Sequence, residues 1–173
     1  MNIIKKKSFK ILRWIIIFIL IFPSFSYMQM AAPPANISSG INPSSGWITS
    51  TYGEPRPPGK PHTGIDIGIR REDLPPDVSV SKEGYIMEIG GDAIRGTYVK
   101  IKNRDGTIST YCHLDGTPTT IKRDYQIGEG YYVGPGATIC KMDCTGHSSC
   151  NHLHYTIQDE YSYFLNPADY LGM

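Results

Sequence analysis

Hydrophobic and polar residues alternate in short runs from residue 46 onward. The run "HTGIDIGI" places apolar side chains at every second position, and "GWITSTYG" is a similar short run of mixed apolar and polar residues, which is typical of β-strands with one buried face. Glycine and proline separate the runs, while valine, isoleucine, threonine and tyrosine cluster within them. The pattern predicts one mainly β domain over residues 46–173, with little helix.

The sharpest strand predictions are a hairpin and a final strand. The runs "TYVKIKN" and "ISTYCHL" flank "RDGT", in which Asp105 and Gly106 favour the positive φ angles of a tight turn. Near the C-terminus, "HLHYTI" predicts one more strand and "NPADYLG" a closing turn. The sequence contains no internal repeat, so these elements are expected to belong to the same domain.

The N-terminus has a different pattern. Basic residues precede the unbroken apolar run "WIIIFILIF", which ends at Pro23 and is followed by small residues. This arrangement predicts a secretory signal peptide over residues 1–26. An uncleaved membrane anchor is the alternative, although a spanning helix needs about 20 apolar residues. Both interpretations place the rest of the chain outside the cytoplasm, in the periplasm or the extracellular envelope.

The charge balance changes when this segment is set aside. Five of the 17 Lys and Arg residues lie within residues 1–26, and none of the 16 Asp and Glu residues do, so the remainder carries −4 with histidine neutral. No basic patch supports binding to nucleic acid, and a membrane is expected only through an uncleaved N-terminus. Residues 27–45 are small, polar and proline-containing, which predicts a linker or loosely attached arm.

The chain contains four cysteines: Cys112, Cys140, Cys144 and Cys150. An even number of cysteines in an exported protein favours two disulfides. A structural zinc site is the competing interpretation, but the C-x3-C and C-x5-C spacings match no common zinc motif.

The first candidate site is the H-x-x-x-D motif of His62 and Asp66. In an extended chain, residues an even number apart project to the same side. The two side chains therefore share a side opposite Ile65 and Ile67. They can bind one metal ion if the chain bends at Gly64; otherwise they are a surface histidine and a loop aspartate.

The second candidate is the pair His152 and His154, which share one face of the last predicted strand. Two neutral imidazoles on one face suit a metal ion, and a solvent-facing polar stripe is the alternative. His113 follows Cys112 on another strand, where alternation points the two side chains to opposite faces. If His113 faces a metal site, Cys112 then faces away from it.

Together these motifs predict a zinc site. A catalytic zinc ion needs about three protein ligands and an open position for water. His62, Asp66 and one or both late histidines supply that set. A histidine left over can act as a general base or hydrogen-bond donor.

The order and spacing of the motifs resemble the LytM/lysostaphin-type zinc metallopeptidases, which cut peptide bonds in bacterial peptidoglycan. The likeness covers most of residues 46–172 and includes "HTGID", "YCHL" and "HLH". It implies a mainly antiparallel β-sheet of the duplicated-hybrid-motif type, with a groove over the zinc ion.

Carried over residue by residue, the resemblance implies that one Zn²⁺ is bound by His62, Asp66 and His154. It makes His113 and His152 catalytic histidines that help to deprotonate the attacking water and stabilise the tetrahedral intermediate. The implied function is a secreted or periplasmic zinc-dependent endopeptidase, with bacterial peptidoglycan as partner. The alternative is a non-catalytic LytM-like module that binds cell wall or regulates another hydrolase.

The sequence departs from the family pattern near the last motif. Cys150 and Asn151 replace the usual Gly-Pro, and Cys112 stands where a small residue is usual, which bears on substrate preference. Beside the site, we expect Cys144 and Cys150 to form a disulfide that pins "TGHSS", leaving Cys112 to pair with Cys140. His147 within this loop is expected to have no role, a substrate contact being the alternative.

Overall fold

The computed structural model describes residues 39–115, 130–149 and 151–171. The described strands are β1 (Trp47–Ser50), β2 (Pro55–Arg56), β3 (Lys60–Pro61), β4 (Ile65–Gly68), β5 (Asp77–Ser79), β6 (Gly84–Asp92), β7 (Gly96–Asn103), β8 (Ile108–Leu114), β9 (Tyr131–Val133), β10 (Thr138–Lys141), β11 (His152–Gln158) and β12 (Phe164–Leu165). The one described helix, α1, covers Ala168–Leu171.

Eight of these strands form one sheet in the order β1-β4-β11-β8-β7-β6-β9, with β12 paired to β11. The pairs β10–β5 and β2–β3 form two small additional sheets. All of these pairings are antiparallel. The predicted mainly antiparallel β fold is therefore confirmed.

The predicted hairpin and the strand predicted over "HLHYTI" are both present, although the short strand β12 follows β11. β7 and β8 pair antiparallel on either side of a turn in which Gly106 has φ 91°. β11 does not lie at an edge of the sheet but between β4 and β8. This central position places the H-x-H motif between β4, which contains Asp66 and follows His62, and β8, which contains His113.

The core lies against one face of the main sheet. Ile65, Ile67, Leu153, Tyr155 and Tyr111 are fully buried there, and the two tyrosine rings pack with centroids 5.0 Å apart. Because side chains alternate along each strand, the intervening residues point to the other face. That second face carries the histidine motifs.

Residues 40–44, within the predicted arm, pack on the domain. Gly40 donates a backbone hydrogen bond to Tyr170, and Ile41 donates one to Ser81, at 2.7 and 3.0 Å. Ser44 is buried and bridges to Val78. The described end of the segment 27–45 therefore packs on the domain, and the linker or arm over the whole segment stays a prediction.

The predicted signal peptide over residues 1–26 lies outside the described residues and stays a prediction. No helix within the described ranges is long and apolar enough to cross a membrane.

Candidate metal centre

Asp66 and His154 lie side by side on neighbouring strands. The register of β4 and β11 pairs them directly, and directly opposed residues share a face of the sheet. His62 reaches the same point from the loop before β4. The chain bends at Gly64, where a Cβ atom would collide with the Tyr155 carbonyl oxygen, so only glycine allows this close approach.

The ligand atoms of the three residues form a compact triangle. His62 Nε2 is 3.2 Å from Asp66 Oδ1 and 3.0 Å from His154 Nδ1, and His154 Nδ1 is 2.8 Å from Asp66 Oδ1. Two nitrogen or oxygen ligands of a tetrahedral zinc ion lie about 3.4 Å apart. The donor set and the size of the triangle therefore fit a zinc ion, and the structure brings the three predicted ligands together.

Surrounding hydrogen bonds orient these ligands. His62 Nδ1 lies 2.8 Å from the Thr51 carbonyl oxygen and donates to it, which leaves the Nε2 lone pair directed at the triangle. Burial raises the pKa of Asp66, but the surrounding side chains of His154, His62 and Arg56 outweigh burial and hold this pKa well below its usual range. The Asp66 carboxylate is therefore anionic at neutral pH and can serve as an oxygen ligand for a metal ion.

His113 reaches the site through an irregularity in β8. The register between β7 and β8 shifts where Thr97 pairs with Leu114 and Val99 with Tyr111, so β8 holds one extra residue, as in a β-bulge. His113 has φ 62° at this point. The bulge turns its ring to the site face, where its centroid is 6.2 Å from that of His154.

Because of this bulge, Cys112 faces the site, whereas the sequence predicted that it would face away from a site lined by His113. Cys112 pairs directly with His154 across β8 and β11, so it shares the face of the ligands, and it lines the same groove as His113. The prediction was wrong because strict alternation does not hold across a bulge. Burial raises the pKa of the Cys112 thiol to about 12, so the group is neutral.

The two predicted catalytic histidines lie next to each other, with ring centroids 4.7 Å apart. His113 Nδ1 donates to the Thr145 carbonyl oxygen at 2.7 Å, so its Nε2 carries the lone pair. His152 Nδ1 lies 3.2 Å from Ser148 Oγ, and its Nε2 lies 3.9 Å from Asp66 Oδ1. Burial lowers the pKa of His113 despite its hydrogen bond to Thr145, which favours a neutral imidazole.

Two further residues lie at the site, and of these only Arg56 was not named from the sequence. His147 lines the cleft of about 390 Å³ beside the ligands, a position compatible with the substrate contact given as the alternative to its having no role. Arg56 Nη2 contacts Asp66 Oδ2 at 2.5 Å and Ser50 Oγ at 2.7 Å. The only sequence signal for Arg56 is its place in the proline-rich loop just before the H-x-x-x-D motif.

The predicted disulfide between Cys112 and Cys140 is wrong, because both are free thiols. They belong to different sheets, and Cys140 Sγ donates instead to Asp115 Oδ1 at 2.5 Å. Cys150 lies outside the described residues, so its pairing with Cys144 stays a prediction.

The geometry agrees with the comparison to known families. A model of peptidase family M23 matches residues 60–167, which is more than half of the chain. The chain belongs to peptidase family M23. The matched range contains His62, Asp66, His113, His152 and His154.

Solved structures show the same fold. The catalytic domain of the antimicrobial peptidase lysostaphin from Staphylococcus simulans is 24% identical with a TM-score of 0.57, over 71% of this chain and 90% of that one. A zinc-containing peptidase from Vibrio cholerae is 20% identical with a TM-score of 0.58, over 75% and 38%. A SpoIIQ–SpoIIIAH pore-forming complex is 18% identical with a TM-score of 0.62, over 79% and 92%.

Several similar solved structures are longer than this chain. It spans 35% of Helicobacter pylori Csd3, 52% of an M23 peptidase from Pseudomonas aeruginosa and 38% of the Vibrio cholerae peptidase. The matches therefore show a peptidase-type fold of family M23.

Proposed function

We propose that this protein is an exported zinc-dependent endopeptidase that hydrolyses peptide bonds in the stems or cross-bridges of peptidoglycan. The observation that carries the proposal is the triangle of His62, Asp66 and His154 with two further histidines beside it. A zinc site with three protein ligands keeps one position for water or substrate. Family membership and the lysostaphin likeness support the substrate class.

In this proposal His62 Nε2, Asp66 Oδ1 and His154 Nδ1 would hold the ion. When bound there, zinc would supply Lewis-acid chemistry, lowering the pKa of a water molecule toward about 7 and polarising a carbonyl group. His113 is fixed by Thr145 with its Nε2 free to accept a proton, so it takes the proton of the attacking water and returns it to the leaving amine. His152 lies beside it and donates a hydrogen bond to the oxyanion.

The N-terminal segment and the loop cysteines complete the proposal. Residues 1–26 direct export, as their basic and apolar pattern predicts. A disulfide between Cys144 and Cys150 would pin the loop that carries Thr145 and His147, both of which lie at the site.

A second candidate is a non-catalytic module that binds a partner protein or the cell wall. The likeness to the SpoIIQ–SpoIIIAH complex favours it. The retention of all three ligand positions and of His113 and His152 favours the enzyme.

A zinc analysis combined with a peptidoglycan digestion assay distinguishes the two candidate functions. We expect the wild type to bind one zinc ion and to release peptide fragments. His154→Ala should lose zinc, because one corner of the triangle is removed. His113→Ala should retain zinc and lose activity. If the wild type binds no zinc and releases no fragments, the module becomes the better assignment.

A further inference from the structure

A polar floor extends from the metal centre across the sheet to Lys100. Thr156 on β11 pairs directly with Thr110 on β8, and Thr110 pairs directly with Lys100 on β7. Directly opposed residues share a face, and His154 lies on that face two positions before Thr156. All four side chains line one groove of about 450 Å³.

Arg95 forms the wall of the groove beside Lys100. Its guanidinium lies 3.7 Å from the centre of the Tyr98 ring, and its Nε donates to Asp92 Oδ2 at 2.7 Å. Its carbonyl accepts a hydrogen bond from the His113 backbone at 2.9 Å. Stacking and ion pairing restrict the side chain, so the cation has a defined position relative to the proposed catalytic histidine.

Among the described residues, the lining of the groove includes cations and no carboxylate. Its described lining includes Arg56, Arg95 and Lys100, whereas the acidic partners Glu88 and Asp92 are not part of the lining. Lys100 Nζ contacts Glu88 Oε2 at 2.6 Å. An ammonium group has three N–H donors and a guanidinium has five. Among the described contacts, each cation therefore keeps donors for a ligand in the groove.

The position of Lys100 indicates where a ligand group would bind. β7 and β11 are separated by one strand, β8, which places their backbones about 10 Å apart. An extended peptide advances about 3.3–3.6 Å per residue. Lys100 also lies two positions further along the strands than His154. A substrate lying along the floor would therefore reach Lys100 about three to four residues from the bond held at the metal centre.

We propose that Lys100 and Arg95 form a carboxylate-binding subsite that selects peptides with a free acidic group on one side of the scissile bond. The inference rests on the proposed peptidase function and narrows its substrate class. It favours stem peptides whose glutamate and diaminopimelate carboxylates are free. It disfavours bridges made of glycine, which have no side-chain carboxylate, and stems whose carboxylates are amidated.

The test uses the full zinc-loaded protein and two matched compounds. One is a cross-linked stem-peptide dimer with free glutamate and diaminopimelate carboxylates, and the other has these groups as carboxamides. Charge-assisted hydrogen bonds are about twice as strong as neutral ones, so we expect kcat/KM to favour the acidic compound by about tenfold. Lys100→Gln should reduce that preference to about twofold.

Lys102→Gln is the matched control. Lys102 lies on the same strand but donates to the Gly106 carbonyl oxygen outside the groove lining, so the preference should stay at the wild-type value. Arg95→Lys keeps the positive charge but loses the planar guanidinium group, which can donate two parallel hydrogen bonds to a carboxylate. We expect this variant to have a smaller preference for the acidic compound than the wild type. Equal cleavage of both compounds by the wild type would overturn the proposal.

Binding of the same compounds to the metal-free protein separates this inference from the peptidase function. Tighter binding of the acidic compound, lost in Lys100→Gln, supports the subsite even if the wild type cleaves neither compound. Equal binding of the two compounds in a protein that does cleave peptidoglycan overturns the subsite alone.

Discussion

Asp66 lies between the two proposed histidine ligands and Arg56. Its Oδ1 lies near His62 and His154, whereas its Oδ2 contacts Arg56 at 2.5 Å. The guanidinium therefore fixes the carboxylate with one oxygen turned to the metal centre. We expect Arg56→Gln to weaken zinc binding by about tenfold, measured by competition with a chromophoric chelator.

Arg56→Lys provides the control for this prediction. Lysine keeps the positive charge but cannot contact Asp66 and Ser50 with one planar group. Its zinc affinity should fall between the wild type and the glutamine variant, while the melting temperature of each metal-free protein reports folding. Unchanged zinc affinity in Arg56→Gln would show that Arg56 does not position Asp66.

The buried position of His113 has a consequence for pH. Burial lowers its pKa from the ordinary value of 6.5, although the Thr145 carbonyl opposes this shift. A lowered pKa keeps the imidazole neutral, and able to accept a proton, at pH values where an exposed histidine is charged. We expect the acid limb of kcat/KM to have its midpoint below pH 6.5. Zinc content is measured at each pH, and a midpoint above 6.5 with zinc retained would contradict the assignment.

At the scale of elements, the sequence predicts strands better than it predicts their irregularities. The β7–β8 hairpin and β11 follow from alternation and from the turn at Asp105 and Gly106. The bulge that brings Cys112 and His113 to one face has no such signal. It depends on pairing with β7, and cross-strand register is not encoded by period-two alternation alone.

Alternation also does not predict the close contact between the turn that ends at Gly96 and the turn that contains Gly146. Gly96 and Gly146 have φ 62° and 75°, and a Cβ on Gly146 would collide with the Gly96 backbone. The His147 amide donates to the Ile94 carbonyl at 3.0 Å next to this contact. These turns carry residues of the groove, so their approach positions its wall.

We therefore expect Gly146→Ala to destabilise the fold strongly. Positive φ alone costs about 1 kcal/mol for alanine, and the collision with backbone adds about 1–3 kcal/mol. Gly53→Ala is the matched control, because Gly53 has φ 78° but open space around it. Urea unfolding should show the larger loss for Gly146→Ala. Equal losses would mean that the turns separate without cost.

At the scale of the whole molecule, a buried ion pair joins segments that are far apart in sequence. Lys82 Nζ contacts Asp105 Oδ2 at 2.6 Å, and both side chains are almost fully buried. Lys82 also lies 5.3 Å from the centre of the Tyr170 ring, and the Tyr170 carbonyl accepts from Gly40. The pair thus connects the β7–β8 turn, the start of β6 and the C-terminal helix. Nothing in the local sequence around Lys82 predicts this, because its partners are brought to it only by the folded sheet.

This ion pair makes the stability of the molecule depend on acidic pH. Burial raises the pKa of Asp105, but hydrogen bonds from Lys82 and Thr107 outweigh it and lower this pKa from 3.8 to about 2. A carboxyl group with a lowered folded-state pKa stabilises the fold above its unfolded pKa, and this contribution is lost as pH falls through the folded value. The free energy of unfolding should therefore decrease by about 2 kcal/mol from this group between about pH 4 and pH 2.

The comparison with Asp105→Asn isolates this contribution from that of the other carboxylates. The variant leaves the Lys82 ammonium buried without its counter-ion, so we expect it to be less stable at pH 7 by about 3 kcal/mol or more. It has no Asp105 carboxyl to titrate, so its unfolding free energy should fall less steeply between pH 4 and pH 2. Urea unfolding at a series of pH values measures both effects. Parallel pH profiles for the two proteins would mean that the ion pair does not hold Asp105 ionised in the folded molecule.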